Sequence, residues 1–389
     1  MSILITGADG YVGWPTALRI ASETDERVVL TDNFARRRWV EEVGSVSATP
    51  VSDMDERLEA ARTELGLSNL SFVEGDLTER AFVDQLLAVH EPSTVVHAAA
   101  QPSAPYSQIN GERANYTQHN NLQSTRNLLW GLEEAGMTDT HFVETTTTGV
   151  YGAPEFPIPE GGATMENDGE RDEVPFPAMA GSWYHLTKSH DAANMRLAHK
   201  QFGIPISDVR TAIVYGTETE ETRPDDRLKT RFDFDYYFGT VGHRFSAQAV
   251  AGYPVTVYGK GEQRKPFVSL EDTVEGLAAL ALMDPAERDD DHVVYNQVTR
   301  AISIVEMAET IADVGEEFDL NVDVEHFENP RDEDETHEME IENERYMGLI
   351  GSQAQSFEEG LQDIFESLTA REETIKSHED RFLPGVLTE

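Results

Sequence analysis

The sequence predicts an α/β protein with a doubly wound parallel sheet, because strand and helix signals alternate and a glycine-rich loop follows the first strand. Apolar stretches of strand character lie at residues 3–6, 27–30, 70–73, 94–97, 141–144 and 206–214. Stretches of helical character separate them at residues 14–22, 54–65, 80–89, 117–135 and 183–202. Strands that alternate with helices form parallel sheets, since each helix carries the chain back across one face.

The pattern weakens after residue 216. Helices are predicted there at residues 238–250, 268–283 and 304–314, and strands at residues 255–258 and 293–297. We expect residues 1–216 to form mainly the domain of the large sheet, and residues 217–389 mainly a smaller C-terminal α/β domain that binds substrate. Segments near 268–298 are expected to return to the first domain. Residues 154–177, rich in Pro, Gly and acids, are expected to form a loop over a cleft, and residues 329–345 an acid-rich loop.

The composition favours a soluble protein of the cytoplasm. The longest apolar runs, such as residues 278–283, are far too short to cross a bilayer. No basic segment precedes the first strand, so we expect no signal peptide. The chain has no cysteine, which excludes disulfides and thiolate chemistry.

The charge of the chain is strongly negative. Asp and Glu number 73 against 30 Lys and Arg, for a net charge of -43, and the acids are spread along the chain. Such a field repels phosphate backbones, which argues against a nucleic-acid partner. An acidic surface with few lysines is similar to that of proteins from salt-accumulating organisms, so we expect a halophilic, haloarchaeal protein that loses stability at low salt.

A dinucleotide site is predicted in the loop GADGYVG at residues 7–13, between the first strand and the first helix. Gly7, Gly10 and Gly13 have the spacing of a Rossmann-type fold, which needs glycine for a tight turn, for close approach of the pyrophosphate and for helix–strand packing. Amide groups at the helix start then bind the anion. The predicted contacts in this region also include Asp9, Tyr11, Val12 and, after the fourth strand, Ala98.

The end of the second strand predicts which dinucleotide binds. Asp32 stands where a carboxylate accepts the ribose hydroxyls and repels a 2′-phosphate, which favours NAD over NADP. Asn33 and Arg36 follow within the same predicted contact region, and an arginine near this point is able to accept a 2′-phosphate instead. Asp76 and Leu77, after the third strand, are the predicted adenine contacts, although Asp76 also suits the start of a helix.

A catalytic site is predicted around Tyr184 and Lys188, which are four residues apart and so share one face of a helix. A nearby ammonium lowers the pKa of a phenol, and the phenolate is then able to take a proton from a sugar hydroxyl. Four threonines at residues 145–148 end the preceding strand, where side chains reach the cleft of such sheets. Thr147 is the predicted partner of Tyr184, and the other threonines favour the strand itself.

These features resemble the extended short-chain dehydrogenase/reductase superfamily of nucleotide-sugar epimerases and dehydratases, over most of the chain. Further motifs are similar to those of the UDP-sulfoquinovose synthase family. They are QPSAPYS at 101–107 with YTQHNN at 116–121, WYHLTKSHD at 183–191, FGT at 238–240, VYGKG at 257–261 and NPR at 329–331.

The resemblance implies that UDP-glucose and sulfite are joined into UDP-sulfoquinovose. Tyr184, tuned by Lys188 and assisted by Thr147, would remove the 4-hydroxyl proton while hydride from C4 reduces NAD. The 4-ketone lets water leave across C5–C6, sulfite adds to C6 of the enone, and hydride returns to C4. NAD is therefore expected to stay bound. The superfamily further implies a homodimer with two helices of each subunit at the interface.

The resemblance is incomplete around the later steps. Sugar 4,6-dehydratases place an Asp–Glu pair directly after the strand threonine, where this chain has Thr148 and Gly149. His185 is the candidate for the C5 proton or for sulfite, although a histidine here also suits a hydrogen-bonded cleft wall. Pro102 stands where the synthases are expected to have Arg, and Val150 where they are expected to have Glu. These two departures bear on the sulfite step more than on the oxidation.

Cations are the expected contacts of the nucleotide-sugar diphosphate, because arginine binds phosphate oxygens in a planar fork. The alternative is that these cations form ion pairs at the surface of the protein. His97 and His119 lack partners at ligand spacing, so no metal site is predicted. The predicted substrate-binding residues are Gln101, Ser103, Thr147, Gln263, Arg264, Lys265 and Arg331.

Two other functions remain open from the sequence. A UDP-sugar 4-epimerase needs only Thr147, Tyr184, Lys188 and NAD, all of which the chain supplies. A non-catalytic dinucleotide-sensing protein keeps the glycine loop, but such proteins often lose the Tyr–Lys pair that this chain retains.

Overall fold

A computed structural model describes residues 2–176, 179–287, 292–328, 339–351 and 354–383. Its strands are β1 (Ser2–Thr6), β2 (Arg27–Asp32), β3 (Leu70–Glu74), β4 (Pro92–His97), β5 (His141–Thr147), β6 (Gly162–Asn167), β7 (Glu170–Pro175), β8 (Ile206–Thr211), β9 (Ile213–Tyr215), β10 (Val255–Tyr258), β11 (Arg264–Ser269), β12 (His292–Gln297), β13 (Arg300–Ser303) and β14 (Val324–Phe327).

Its helices are α1 (Gly13–Glu23), α2 (Ala35–Glu42), α3 (Met54–Glu64), α4 (Arg80–His90), α5 (Ala104–Ser107), α6 (Gly111–Glu134), α7 (Trp183–Phe202), α8 (Val241–Ala251), α9 (Leu270–Ala281), α10 (Ile304–Glu316), α11 (Glu344–Ile350), α12 (Phe357–Thr369) and α13 (Glu372–Lys376). None of these helices is long and apolar enough to cross a membrane.

The large sheet has seven parallel strands in the order β12-β8-β5-β4-β1-β2-β3. The predicted Rossmann-type, doubly wound fold is therefore confirmed. One face carries α1 and α9 over a core that includes Trp14 and Leu277, and the other carries α4, α6 and α7 over a core that includes Leu128 and Met195. Since β1 pairs with both β2 and β4, the strand order reverses there, and a crevice opens at the carboxyl ends of these strands.

A smaller α/β region stands beyond that crevice. Strand β11 pairs parallel with β9 and antiparallel with β13, and β10 pairs parallel with β14. Helices α8, α10 and α12 pack together around a core that contains Phe232, Phe245, Phe267, Ile311 and Phe365. The chain passes between the two regions more than once, because β11 belongs to the smaller sheet whereas α9 and β12 pack on the larger one.

Two segments differ from the sequence prediction. Residues 264–269 form strand β11, and the predicted helix begins only at Leu270. Residues 162–175, expected within a loop, form an antiparallel hairpin of β6 and β7. Its turn is Asp168-Gly169, with φ of 51° and 82°. Asp-Gly with positive φ at both residues is a favoured two-residue hairpin turn, so the local signal was present but was obscured by the acidic composition.

Candidate active site

A cavity of about 500 Å³ lies at the carboxyl ends of the central strands. Its walls come from the glycine loop, from the ends of β2, β4 and β5, from the start of α7, and from α8, β10 and β11 of the smaller region. The cavity therefore occupies the crevice where the strand order reverses, the place at which open α/β sheets bind their ligands. Among the residues described, no group of His, Asp or Glu is arranged to hold a metal ion.

The glycine loop is too tightly folded for other residues. A Cβ on Gly13 would lie 2.1 Å from the carbonyl oxygen of Gly7, far inside the van der Waals contact distance of the two atoms. Gly7 has a φ of 72°, and a Cβ there would lie 2.6 Å from the amide nitrogen of Ala99. These glycines bring the backbone of the loop to the cavity wall beside the start of α1, as a pyrophosphate requires.

Asp9 has a different place from the one predicted. Its side chain is buried behind the loop, away from the cavity lining. Arg37 donates to it with Nε at 2.8 Å and Nη2 at 2.7 Å, and Nη1 of Arg57 lies 3.2 Å away. Asp9 therefore fixes the loop from behind, and its carboxylate is not placed to contact a ligand in the cavity.

The end of β2 presents a carboxylate to the cavity. Asp32 accepts one hydrogen bond on each oxygen, from the amides of Asp9 at 2.9 Å and Phe34 at 2.7 Å. Burial and the neighbouring charge of Asp9 raise the pKa of Asp32 to about 6. Each oxygen keeps a lone pair for a ribose hydroxyl, which fits the adenosine ribose of NAD. The side-chain amide of Asn33 donates a hydrogen bond to the carboxylate of Asp76 at 2.9 Å, and both residues line the same end of the cavity as Leu77.

The arginines that follow Asp32 are already hydrogen-bonded within the protein. Arg36 donates twice to Asp233, at 2.7 and 3.0 Å, and its guanidinium stacks 4.1 Å from the Phe238 ring. Arg37 holds Asp9, and Arg38 donates to the carbonyl oxygen of Asn33. These contacts use most of the hydrogen-bonding groups of Arg36 and Arg37, whereas Nη1 of Arg36 has no hydrogen-bond partner among the described residues, so the preference for NAD over NADP is carried by the carboxylate of Asp32.

The three predicted oxidation residues line the cavity together. Thr147 ends β5, and its hydroxyl accepts a hydrogen bond from the amide of Gly149 at 3.1 Å. Tyr184 and Lys188 come from the first two turns of α7, where the Ser182 side chain caps the helix. Burial raises the pKa of Tyr184, and Lys188 opposes that rise. The ammonium therefore acts in the predicted direction, but in the protein alone burial outweighs it.

His185 fills the space that Gly149 leaves. A Cβ on Gly149 would lie 2.4 Å from the imidazole of His185, so any larger residue at this position would displace the ring. This is one of the two positions at which dehydratases carry their acidic pair. The imidazole of His185 therefore occupies, at the cavity wall, part of the space that a side chain at residue 149 would fill.

The predicted substrate residues divide into two groups. Ser103, Gln263 and Lys265 line the cavity. Gln101 is buried outside the lining, where both ends of its amide bind the backbone of Ser103, at 2.6 and 3.3 Å. Arg264 binds the carbonyl oxygen of Ala301 on the neighbouring strand, and adjacent residues of β11 point to opposite faces, so Lys265 is the one that reaches the cavity. Arg331 lies outside the described residues.

The sequence prediction found Gln263 and Lys265 but missed the rest of the wall that the smaller region contributes. Tyr236, Tyr237, His243 and Arg244 all line the cavity, and Arg244 adds a second cation to Lys265. The sequence carried one local signal for Arg244, namely that Thr240 is a residue type that caps the start of a helix. A helix that begins at a cleft presents the side chains of its first turns, such as Arg244, to that cleft. Of the two departures, Pro102 lines the cavity, whereas Val150 is buried beside Tyr151 and Ile158.

Gly13→Ala is expected to abolish NAD binding, because its methyl group would overlap the carbonyl oxygen of Gly7 and force the loop apart. Isothermal titration with NAD checks this. Gly111→Ala, at the start of α6 with open space around its Cβ, is the matched control and should bind as the wild type does. Wild-type affinity in Gly13→Ala would contradict the assignment.

The affinity for NAD is expected to fall about tenfold between pH 7.5 and pH 5. The pKa of Asp32 lies at about 6, so the carboxylate takes up a proton in this interval and loses an acceptor for the ribose. Titrations with Asp32→Asn should show weaker binding without this pH dependence. An unchanged pH dependence in that variant would assign it to another group.

Comparisons with known proteins agree with this geometry. The model of the NAD dependent epimerase/dehydratase family matches residues 3–296. The chain is 40% identical over 339 residues to UDP-sulfoquinovose synthase of Sulfolobus acidocaldarius, covering 87% of this chain and 84% of that protein. It is 38% identical to the chloroplastic UDP-sulfoquinovose synthase of Spinacia oleracea, covering 86% and 68%.

Among solved structures, the UDP-glucuronic acid 4-epimerase of Bacillus cereus with UDP-glucuronic acid and NAD shares the fold at a TM-score of 0.68. It is 22% identical, and the match covers 95% of this chain and 99% of that one. The UDP-glucose 4-epimerase of Thermotoga maritima gives a TM-score of 0.67 at 19% identity, with the same coverage. The chain belongs to the NAD dependent epimerase/dehydratase family, and its relatives at 38–40% identity are UDP-sulfoquinovose synthases.

Proposed function

We propose that the protein converts UDP-glucose and sulfite into UDP-sulfoquinovose with bound NAD. The observation that carries the proposal is that one cavity brings the glycine loop and Asp32 together with Thr147, Tyr184 and Lys188. The identity to two UDP-sulfoquinovose synthases, over most of the chain, supports this choice among the reactions that such a site can perform.

Tyr184 is the base that removes the proton from the 4-hydroxyl of the sugar. Lys188, one helical turn further along α7, stabilises the phenolate, and Thr147 at the end of β5 holds the same hydroxyl by a hydrogen bond. NAD, when bound, takes up the C4 hydride and later returns it. Since the protein regenerates its oxidant within one turnover, it needs NAD only as a resident group.

The later steps change C5 and C6. With a ketone at C4, the C5 proton becomes acidic, and His185 at the cavity wall would take up this proton and pass it to the 6-hydroxyl, which leaves as water. The sulfur lone pair of hydrogen sulfite then forms the bond to C6 of the enone, and the proton that hydrogen sulfite releases is returned to C5. Lys265 and Arg244, two of the four Lys and Arg residues that line the cavity in the described part of the chain, would bind the diphosphate.

The protein is further proposed to be a homodimer through α6 and α7. Both helices pack on the large sheet with one face, and their outer faces expose large apolar side chains. Trp130 on α6 is 47% exposed, and Leu197 on α7 is 51% exposed. Burying such side chains between two copies would remove the unfavourable contact with water.

The purified protein is expected to form a sulfonated sugar nucleotide from UDP-glucose only when sulfite is present, as followed by mass spectrometry in concentrated salt. Tyr184→Phe should lower kcat about 1,000-fold, because phenylalanine cannot form the phenolate that acts as the base. Tyr253→Phe, outside the cavity, is the control. Formation of UDP-galactose without sulfite would instead indicate a 4-epimerase, and a fully active Tyr184→Phe would refute both oxidation schemes.

Light scattering is expected to give twice the mass of one chain for the wild type, and the mass of one chain for Leu197→Glu combined with Trp130→Glu. Charges at these positions would have to be buried in the interface at high cost. Val89→Glu changes an exposed apolar residue of α4 in the same way and should leave the dimer intact. A dimeric double variant would place the interface elsewhere.

A further inference from the structure

Three charged side chains are buried together behind Tyr184. Glu144 comes from β5, and Lys188 and Asp191 come from α7. Glu144 and Asp191 are 0% exposed and Lys188 is 2% exposed. Charged groups so far removed from water are tolerated only when their charges are balanced and their hydrogen bonds are made. The cluster must therefore reach neutrality from its own members and their direct neighbours.

The ammonium of Lys188 lies between the two carboxyl groups. Its Nζ is 3.1 Å from Oε1 of Glu144 and 3.8 Å from Oδ2 of Asp191. The hydroxyl of Thr125 on α6 donates to the Glu144 carboxylate, at 3.2 and 3.3 Å from its two oxygens. Asp191 is less well satisfied: among the described residues, no group lies in good hydrogen-bonding geometry to either of its oxygens, and only the nearby hydroxyl of Thr125 favours its charged form by hydrogen bonding.

One ammonium cannot neutralise two carboxylates. If both acids were ionised, one negative charge would remain uncompensated in the interior. Of two carboxyl groups that share a buried site, one takes up a proton at a pH where a solvated carboxyl is ionised. Burial and the charge of Glu144 raise the pKa of Asp191 well above its ordinary value. Burial also raises the pKa of Glu144, which Lys188 lowers again.

The surrounding groups do not supply the missing positive charge. His97 of β4 is bound to the Thr6 hydroxyl at 2.7 Å, and burial together with Lys188 holds the pKa of His97 well below its ordinary value, so it is neutral. Asp208 of β8 is acidic and is itself paired with Arg210 at 3.1 Å. Tyr184 is either a neutral phenol or a negative phenolate, so it supplies no positive charge in either form.

We propose that Glu144 and Asp191 share one proton and act together as a single negative charge that positions the ammonium of Lys188 against Tyr184. The proposal rests on the catalytic roles given above to Tyr184 and Lys188, and it makes the two acids positioning residues. The shared proton has a consequence for the base. Burial raises the pKa of Tyr184, Lys188 lowers it, and both carboxyl groups raise it, so a second ionised acid would oppose the formation of the phenolate.

Isosteric variants test the pair. In Asp191→Asn or Glu144→Gln the remaining acid ionises and still balances Lys188. Each single variant is therefore expected to lower kcat less than about tenfold and to leave the acid limb of the kcat–pH profile in place. The double variant leaves the ammonium unbalanced, and its kcat is expected to fall about 1,000-fold, more than the product of the single effects. Asp272→Asn, which removes a buried carboxyl group at the start of α9, is the control.

Infrared spectroscopy provides a test that needs no substrate. At pH 8 the wild type should show the C=O stretching band of a protonated carboxyl group, and Asp191→Asn should lack it. This result stands even if UDP-glucose were not converted, so the pair and the proposed reaction can fail separately. A missing band would overturn the proposal, as would a shift of the acid limb in Asp191→Asn by about one unit to lower pH, since either means that Asp191 is ionised. If the double variant does not fold, the kcat–pH profiles of the single variants and the infrared band still test whether the two acids share a proton.

Discussion

The ionic contact of Asp9 with Arg57 and Arg37 holds the cofactor end of the molecule together. Arg57 is fully buried, and it also donates to the carbonyl oxygen of Lys229 at 3.0 Å. The contact therefore joins the glycine loop to α3 and to the segment that leads into the smaller region. Removing one member would leave an uncompensated charge in the interior, which is more costly than the pair is favourable. The loop keeps its shape because these partners come from three separate parts of the chain.

Local signals in the sequence predicted most of the large sheet. The spacing of Gly7, Gly10 and Gly13 and the apolar periodicity depend on residues near one another, so the strands, most helices and the cofactor loop could be placed from the sequence. The same holds for Tyr184 and Lys188, which one helix brings together. The cavity-lining residues that could be predicted are those whose partners are close in sequence or lie at the ends of adjacent strands.

Long-range contacts account for what the sequence did not predict. Asp9 has the polar side chain of a ligand contact, but Arg37 and Arg57, which are distant in sequence, hold it away from the cavity. Arg264 and Lys265 are adjacent cations, and only the register of β11 against β13 decides which of them reaches the cavity. Glu144 gave no signal at all, because a carboxylate in a buried strand has meaning only beside the Lys188 that α7 places against it.

The burial of Lys188 also bears on how the protein can be modified chemically. Burial lowers the pKa of Lys188, but Glu144 and Asp191 outweigh it and raise the pKa above the ordinary value. Amine-directed reagents attack only the uncharged, accessible amine. Of the six lysines in the chain, Lys200, Lys260 and Lys376 are exposed. Coupling to a solid support or a fluorophore through amines would therefore proceed at these surface positions and leave Lys188 untouched.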